Sequence, residues 1–94
     1  MIHPKEYYIL AFHTTTDAIQ AEKTLKEHFS IAVMPVPREI SSGCGLSIRF
    51  QNPDLSEILD FLKTSSLTGT FYRMGTEKVN GRHPVELLFT LKKA

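Results

Sequence analysis

Tyr7-Tyr8-Ile9-Leu10-Ala11-Phe12 is a short run, rich in aromatic residues and apolar at both parities. Side chains along a strand alternate between faces, so a strand with no polar parity is buried on both sides and lies centrally in its sheet. The next strand candidate, Ile31 to Val36, carries Pro35, whose missing N–H confines it to a sheet edge. Between the two, Thr14, Thr15 and Thr16 offer N-caps, and Thr14-x-x-Asp17 has the spacing of a capping box. Ala18, Ala21, Leu25 and Phe29 then share one helical face, while Glu22, Lys23, Lys26 and Glu27 face solvent. A central first strand, a helix and an edge second strand limit the topology to few choices.

Working outward, Leu46, Ile48 and Phe50 alternate with Ser47, Arg49 and Gln51, the pattern of a half-buried third strand. Asn52-Pro53-Asp54 predicts a helix start, with Asn52 as cap, proline in the first turn and an acid at the dipole's positive end. Leu55, Ile58, Leu59 and Leu62 form that helix's apolar stripe, and Thr70 to Met74 reads as a fourth strand. Asn80-Gly81 is a hairpin signal. A two-residue loop there would set Met74 opposite Leu87 and Tyr72 opposite Phe89, with Val85, Leu87, Phe89 and Leu91 on a fifth strand. The order β-α-β-β-α-β plus a C-terminal strand is the α+β, ferredoxin-like split βαβ pattern. It predicts an antiparallel sheet with both helices on one face, burying Leu25, Phe29, Leu55, Leu59 and Leu62 against Leu10, Ile48 and Phe50. The other parity of the first strand, Tyr7, Ile9 and Ala11, then needs its own cover. A second subunit is the expected one, making a homodimer or higher oligomer, with the C-terminal strand as the rival.

Nothing divides the 94 residues, so 1–94 are read as one domain. Eleven basic against ten acidic side chains give +1, which argues against a partner bound through a phosphate backbone, so no nucleic acid is expected. Tyr7, Tyr8, Phe71 and Tyr72 would suit an RNA-binding sheet, but no RNP-like run accompanies them and packing explains them better. The longest apolar run is too short for a membrane span, and no signal peptide is recognisable; a cytoplasmic location is expected. One cysteine, Cys44, excludes an internal disulfide and a C-x-x-C pair. His3, His13, His28 and His83 lack metal-ligand spacing, so neither a metal nor a cofactor is expected.

The chemistry-bearing candidate is the segment Pro35-Val36-Pro37-Arg38-Glu39-Ile40-Ser41-Ser42-Gly43-Cys44-Gly45 between the second and third strands. It is longer than a hairpin needs, and such loops are often functional. Gly43 and Gly45 flank the thiol, and successive backbone N–H groups there could form an anion-binding nest. Arg38 could add positive charge, or serve as a surface partner of Glu39. Surroundings of this kind make a cysteine nucleophilic. Cys44 also shares the parity of Leu46, Ile48 and Phe50, which would bury it as a small hydrophobe. The residues leave both readings open.

Tyr8-Ile9-Leu10-Ala11-Phe12, the Ala18…Ala21-Glu22…Leu25 helix and above all Pro37-Arg38-Glu39-Ile40-Ser41-Ser42-Gly43-Cys44-Gly45-Leu46 resemble a family of small bacterial proteins described as Se/S carrier-like. The resemblance covers residues 7–72 and implies a cytoplasmic protein, a carrier more than a true enzyme, whose Cys44 holds sulfur or selenium as a persulfide-type adduct. It implies donor and acceptor proteins as partners, with Arg38, Ser42, Gly43 and Gly45 around the adduct. Gly45 stands where sulfur-relay proteins of the Cys-Pro-x-Pro type have proline, so no relay pathway is carried over. A lone thiol suits a carrier, because an adduct cannot collapse into an intramolecular disulfide. Two other functions compete. One is a non-catalytic interaction or regulatory module using the helix-free sheet face, with Cys44 structural; the other is a thiol enzyme pairing Cys44 with His13.

Overall fold

The computed structural model describes residues 6–40, 44–51 and 54–91. In chain order the elements are β1 (Glu6–Ala11), α1 (Thr15–Leu25), β2 (Ile31–Pro35), β3 (Leu46–Phe50), α2 (Leu55–Thr64), β4 (Gly69–Gly75) and β5 (Val85–Leu91). The strands form one antiparallel sheet in the order β2-β3-β1-β4-β5. This is the ferredoxin-like arrangement with a fifth strand added beside β4.

β1 lies in the middle as its two apolar parities require, and β2 lies at the edge as Pro35 requires. Val36 N–H donates to the Gly45 carbonyl at 2.9 Å and Gln51 N–H to the Ser30 carbonyl at 2.9 Å. These bonds bracket the β2–β3 ladder, so the odd residues Ile31, Val33 and Pro35 turn their backbone groups outward. Pro35 therefore sits where a strand loses no ladder bond by lacking N–H.

Thr14 caps α1, its hydroxyl accepting the Asp17 N–H at 3.1 Å. The cap of α2 is Asp54, whose carboxylate accepts Ser56 N–H at 3.1 Å and Glu57 N–H at 3.4 Å. Asn52, expected in that role, lies with Pro53 outside the described residues. Asp54 wins the cap because it directly precedes the first helical residue and a charged oxygen can serve two orphan donors.

Both helices close on one face of the sheet. Ala18, Ala21 and Leu25 of α1 and Ile58 and Leu62 of α2 are buried with Leu10, Phe12, Ile48, Phe50 and Phe71. Phe29, Leu55 and Leu59 join them half-buried. Phe50 meets Phe71 edge-on at 5.9 Å and Phe29 at 5.7 Å, while Tyr8 stacks on Phe71 at 5.7 Å. Ile9, Ala11 and Met74 form a second cluster on the opposite face. The two parities of β1 are thus divided between two small cores.

The β4–β5 register departs from the sequence expectation. Met74 faces Val85 and Tyr72 faces Leu87, two residues short of the predicted partners. The hairpin tip does follow the signal: Asn80 and Gly81 have φ of 54° and 81°, and Val79 bridges Arg82 across them. The slip arises below the tip, where Thr76, Glu77 and Lys78 are opposed by His83 alone before Gly75 N–H meets the Pro84 carbonyl at 2.9 Å. Pro84 has no N–H with which to continue a regular ladder, and its ring rests on Gly75, 3.1 Å from where a Cβ would stand. A further irregularity at Phe71/Tyr72 places Phe89 opposite Phe71.

Candidate functional site

Residues 36–40, which follow β2, fold back against the sheet. Pro37 to Ile40 form a turn, closed by Ile40 N–H to the Pro37 carbonyl at 2.9 Å. This turn carries Ile40 onto the helix-free face, where it is 4% exposed and packs with Ile9, Ala11 and Met74. Residues 36–40 act as a strap across that face. One carboxylate fastens it: Glu39 Oε2 accepts the His83 backbone N–H at 3.0 Å. The His83 N–H holds the Glu39 carboxyl below its ordinary value, and the charge of Arg38 works in the same direction more weakly. His83 is itself held by a 3.0 Å contact between Nδ1 and the Gly75 carbonyl.

The strap bears on the cover expected for the second parity of β1. Ile9, Ala11 and Met74 are buried within one copy of the chain, in a cluster with Ile40 that Val36 and Met34 also pack against. The C-terminal strand, the rival cover, pairs in the plane of the sheet with β4. Ile40 and Glu39 were not singled out from sequence. The available signal was an aliphatic residue flanked by Arg38-Glu39 and Ser41-Ser42.

Cys44 lies at the other end of this segment, one residue before Gly45 and two before β3. Its thiol is half-buried and outside any disulfide. Sγ donates toward the Phe12 carbonyl at 3.3 Å and lies 3.7 Å from the Leu46 carbonyl. Both are acceptors, where a nest of N–H groups was expected; Gly43, part of that nest, lies with Ser42 outside the described residues. The side chain packs against the helix-side core, as its parity with Leu46 and Ile48 requires. It remains half-exposed because β3 begins only at Leu46. Gly45 is exposed at φ 72°, and a Cβ there would meet nothing within 4 Å.

Of the other candidates, Arg38 lines a cleft that does not include Cys44, while His13 adjoins the residue that receives the thiol. Arg38 is exposed and lines a cleft of about 200 Å³ with Glu39, Gly81 and Arg82. That cleft belongs to the strap and hairpin tip, whereas Cys44 belongs with Phe12 and Leu46. His13 is exposed and follows Phe12, the residue whose carbonyl receives the thiol. Among the described residues no three His, Cys, Asp or Glu side chains are placed to hold a metal ion. No helix among them is long and apolar enough to cross a membrane.

Residues 7–72, from β1 through the helices, strap and thiol to the middle of β4, match the model of a family described as "Putative Se/S carrier protein-like". The chain belongs to this Se/S carrier-like family. An uncharacterized protein of Methanocaldococcus jannaschii is 40% identical over 43 residues, which is 46% of this chain and 22% of that protein. This Se/S carrier-like chain thus matches about a fifth of that relative's length. No solved structure matches it.

Proposed function

We propose that this protein carries sulfur or selenium as a persulfide-type adduct on Cys44. The observation that carries the reading is the placement of the chain's single thiol at a half-exposed loop-to-strand junction, inside the segment that the family model spans. The chemistry balances without an added oxidant. The deprotonated Cys44 sulfur attacks the outer sulfur of a donor persulfide; the new S–S bond forms as the donor's S–S bond breaks, and the donor leaves as a thiolate. Transfer to an acceptor repeats the exchange with Cys44 as leaving group. Donor and acceptor proteins in the cytoplasm, and a homodimer of the carrier, belong to the same proposal.

Three features support a carrier over an enzyme. No second cysteine can resolve the adduct, so it persists until an acceptor arrives. Gly45 beside the thiol is exposed and carries no side chain to hinder a partner. The Phe12 and Leu46 carbonyls hold the sulfur at the surface of the core. In this proposal Gly45, with Gly43 and Ser42, shapes the approach to the sulfur, and Arg38 stands further along the same segment. A second reading, a binding module with Cys44 structural, is favoured by the packing of that side chain against the helix-side core. Iodoacetamide separates them: a carrier's thiol is alkylated in the native protein, a structural one only after denaturation. Incubation with a persulfide donor should then add one sulfur mass to the parent and none to Cys44→Ser.

A further inference from the structure

We infer that the cleft between the strap and the β4–β5 hairpin tip binds an oxyanion group, a phosphate or a carboxylate, between the guanidinium groups of Arg38 and Arg82. The two arginines come from segments 44 residues apart in sequence and line the same cleft of about 200 Å³. Two arginines lining one cleft bring two positive charges to it, which an anionic group bound there would offset. The internal candidate is Glu39, which lines the cleft too, but its Oε2 is already turned to the His83 N–H. The ion pairs among the described residues all involve Arg73, with Glu6 and Glu86; neither Arg38 nor Arg82 forms one. The lining side chains carry two positive charges against one negative, an excess of one.

The scaffold is fixed on both sides. Ile40 anchors the strap in the second core, and the Val79–Arg82 bridge closes the hairpin tip by bonds of 2.7 Å and 3.1 Å. Gly81 leaves its side of the opening clear, since a Cβ there would meet nothing within 4 Å. Arginine presents a planar fork of donors that matches two oxygens of one group, so two arginines lining one cleft suit a single oxyanion. The volume suits one such group on a small molecule. This inference does not rest on the carrier reading: the cleft lies away from the thiol and would bind an anion whether or not Cys44 accepts sulfur.

The test is an NMR titration of the labelled full chain with sodium phosphate, and separately with sodium acetate, at constant ionic strength. Saturable shifts at the Glu39, Gly81, Arg82 and His83 amides in either salt are expected, and the tighter salt identifies the oxyanion. Arg38→Ala and Arg82→Ala should each weaken binding about tenfold, the scale of one charge-assisted contact. Arg82→Lys should lie between, and Lys63→Ala, which removes an exposed charge on α2, should bind as the parent does. Each variant's dispersed spectrum reports that it has folded. Shifts that do not saturate in either salt, or equal affinities in the parent and both alanine variants, would overturn the inference.

Discussion

Glu39 and Gly45 both belong to the segment that carries Cys44, and each has a measurable role. The His83 N–H lowers the Glu39 pKa from an ordinary 4.5, so the folded strap prefers the carboxylate. Its stabilisation is fully present above the ordinary carboxylate range and is lost as pH falls through the lowered folded value. The His83 amide resonance should show an inflection below pH 4.5. Glu39→Gln, which keeps an acceptor but cannot titrate, should lack it; an unchanged inflection would assign the titration elsewhere. At Gly45, φ of 72° and open space mean that alanine meets backbone strain and no clash. Gly45→Ala should cost about 1–2 kcal/mol in a urea titration without blocking access to the thiol. Much of this scale was legible in sequence: the Thr14 cap, the edge position of Pro35 and the core parity of Cys44 all follow from local chemistry. Glu39 was not, because its partner is a backbone N–H on a hairpin 44 residues away.

The elements were readable where one local signal dominated and unreadable where two competed. Alternation of Leu46, Ile48 and Phe50 placed β3, and the apolar stripe of α2 placed that helix. Its cap was read as Asn52, whereas Asp54, the charged residue adjoining the first turn, holds the role. Asp54→Ala should therefore lower stability by about 1 kcal/mol, read from the denaturation midpoint; no change would return the cap to another residue. The β4–β5 pair shows the complementary limit. Asn80-Gly81 does set the tip, but His83-Pro84 opposes a longer stretch and shifts the strands by two residues. Turn chemistry governs only the residues bonded around the turn. Pro84 settling on Gly75 is a contact that no periodicity announces.

At the scale of the molecule, one sheet separates two cores, one sealed by helices and the other by a five-residue strap. Ile40 is the strap's plug, so Ile40→Ala should cost about 2 kcal/mol, the low end for a buried aliphatic because a strap can settle into the space. The variant should bind a hydrophobic dye and self-associate at lower concentration than the parent, since Ile9, Ala11 and Met74 lose their cover; parent-like light scattering would mean the face is protected otherwise. The same segment ends at Cys44, so the chain folded over one face also presents its only thiol at the rim of the other. That placement underlies the carrier proposal, and mass spectrometry tests it most directly. After incubation with a persulfide donor and removal of the donor, the intact native protein should gain one sulfur mass that iodoacetamide traps on Cys44 and that Cys44→Ser lacks. A parent that gains nothing, and whose Cys44 is alkylated only after unfolding, would contradict the account.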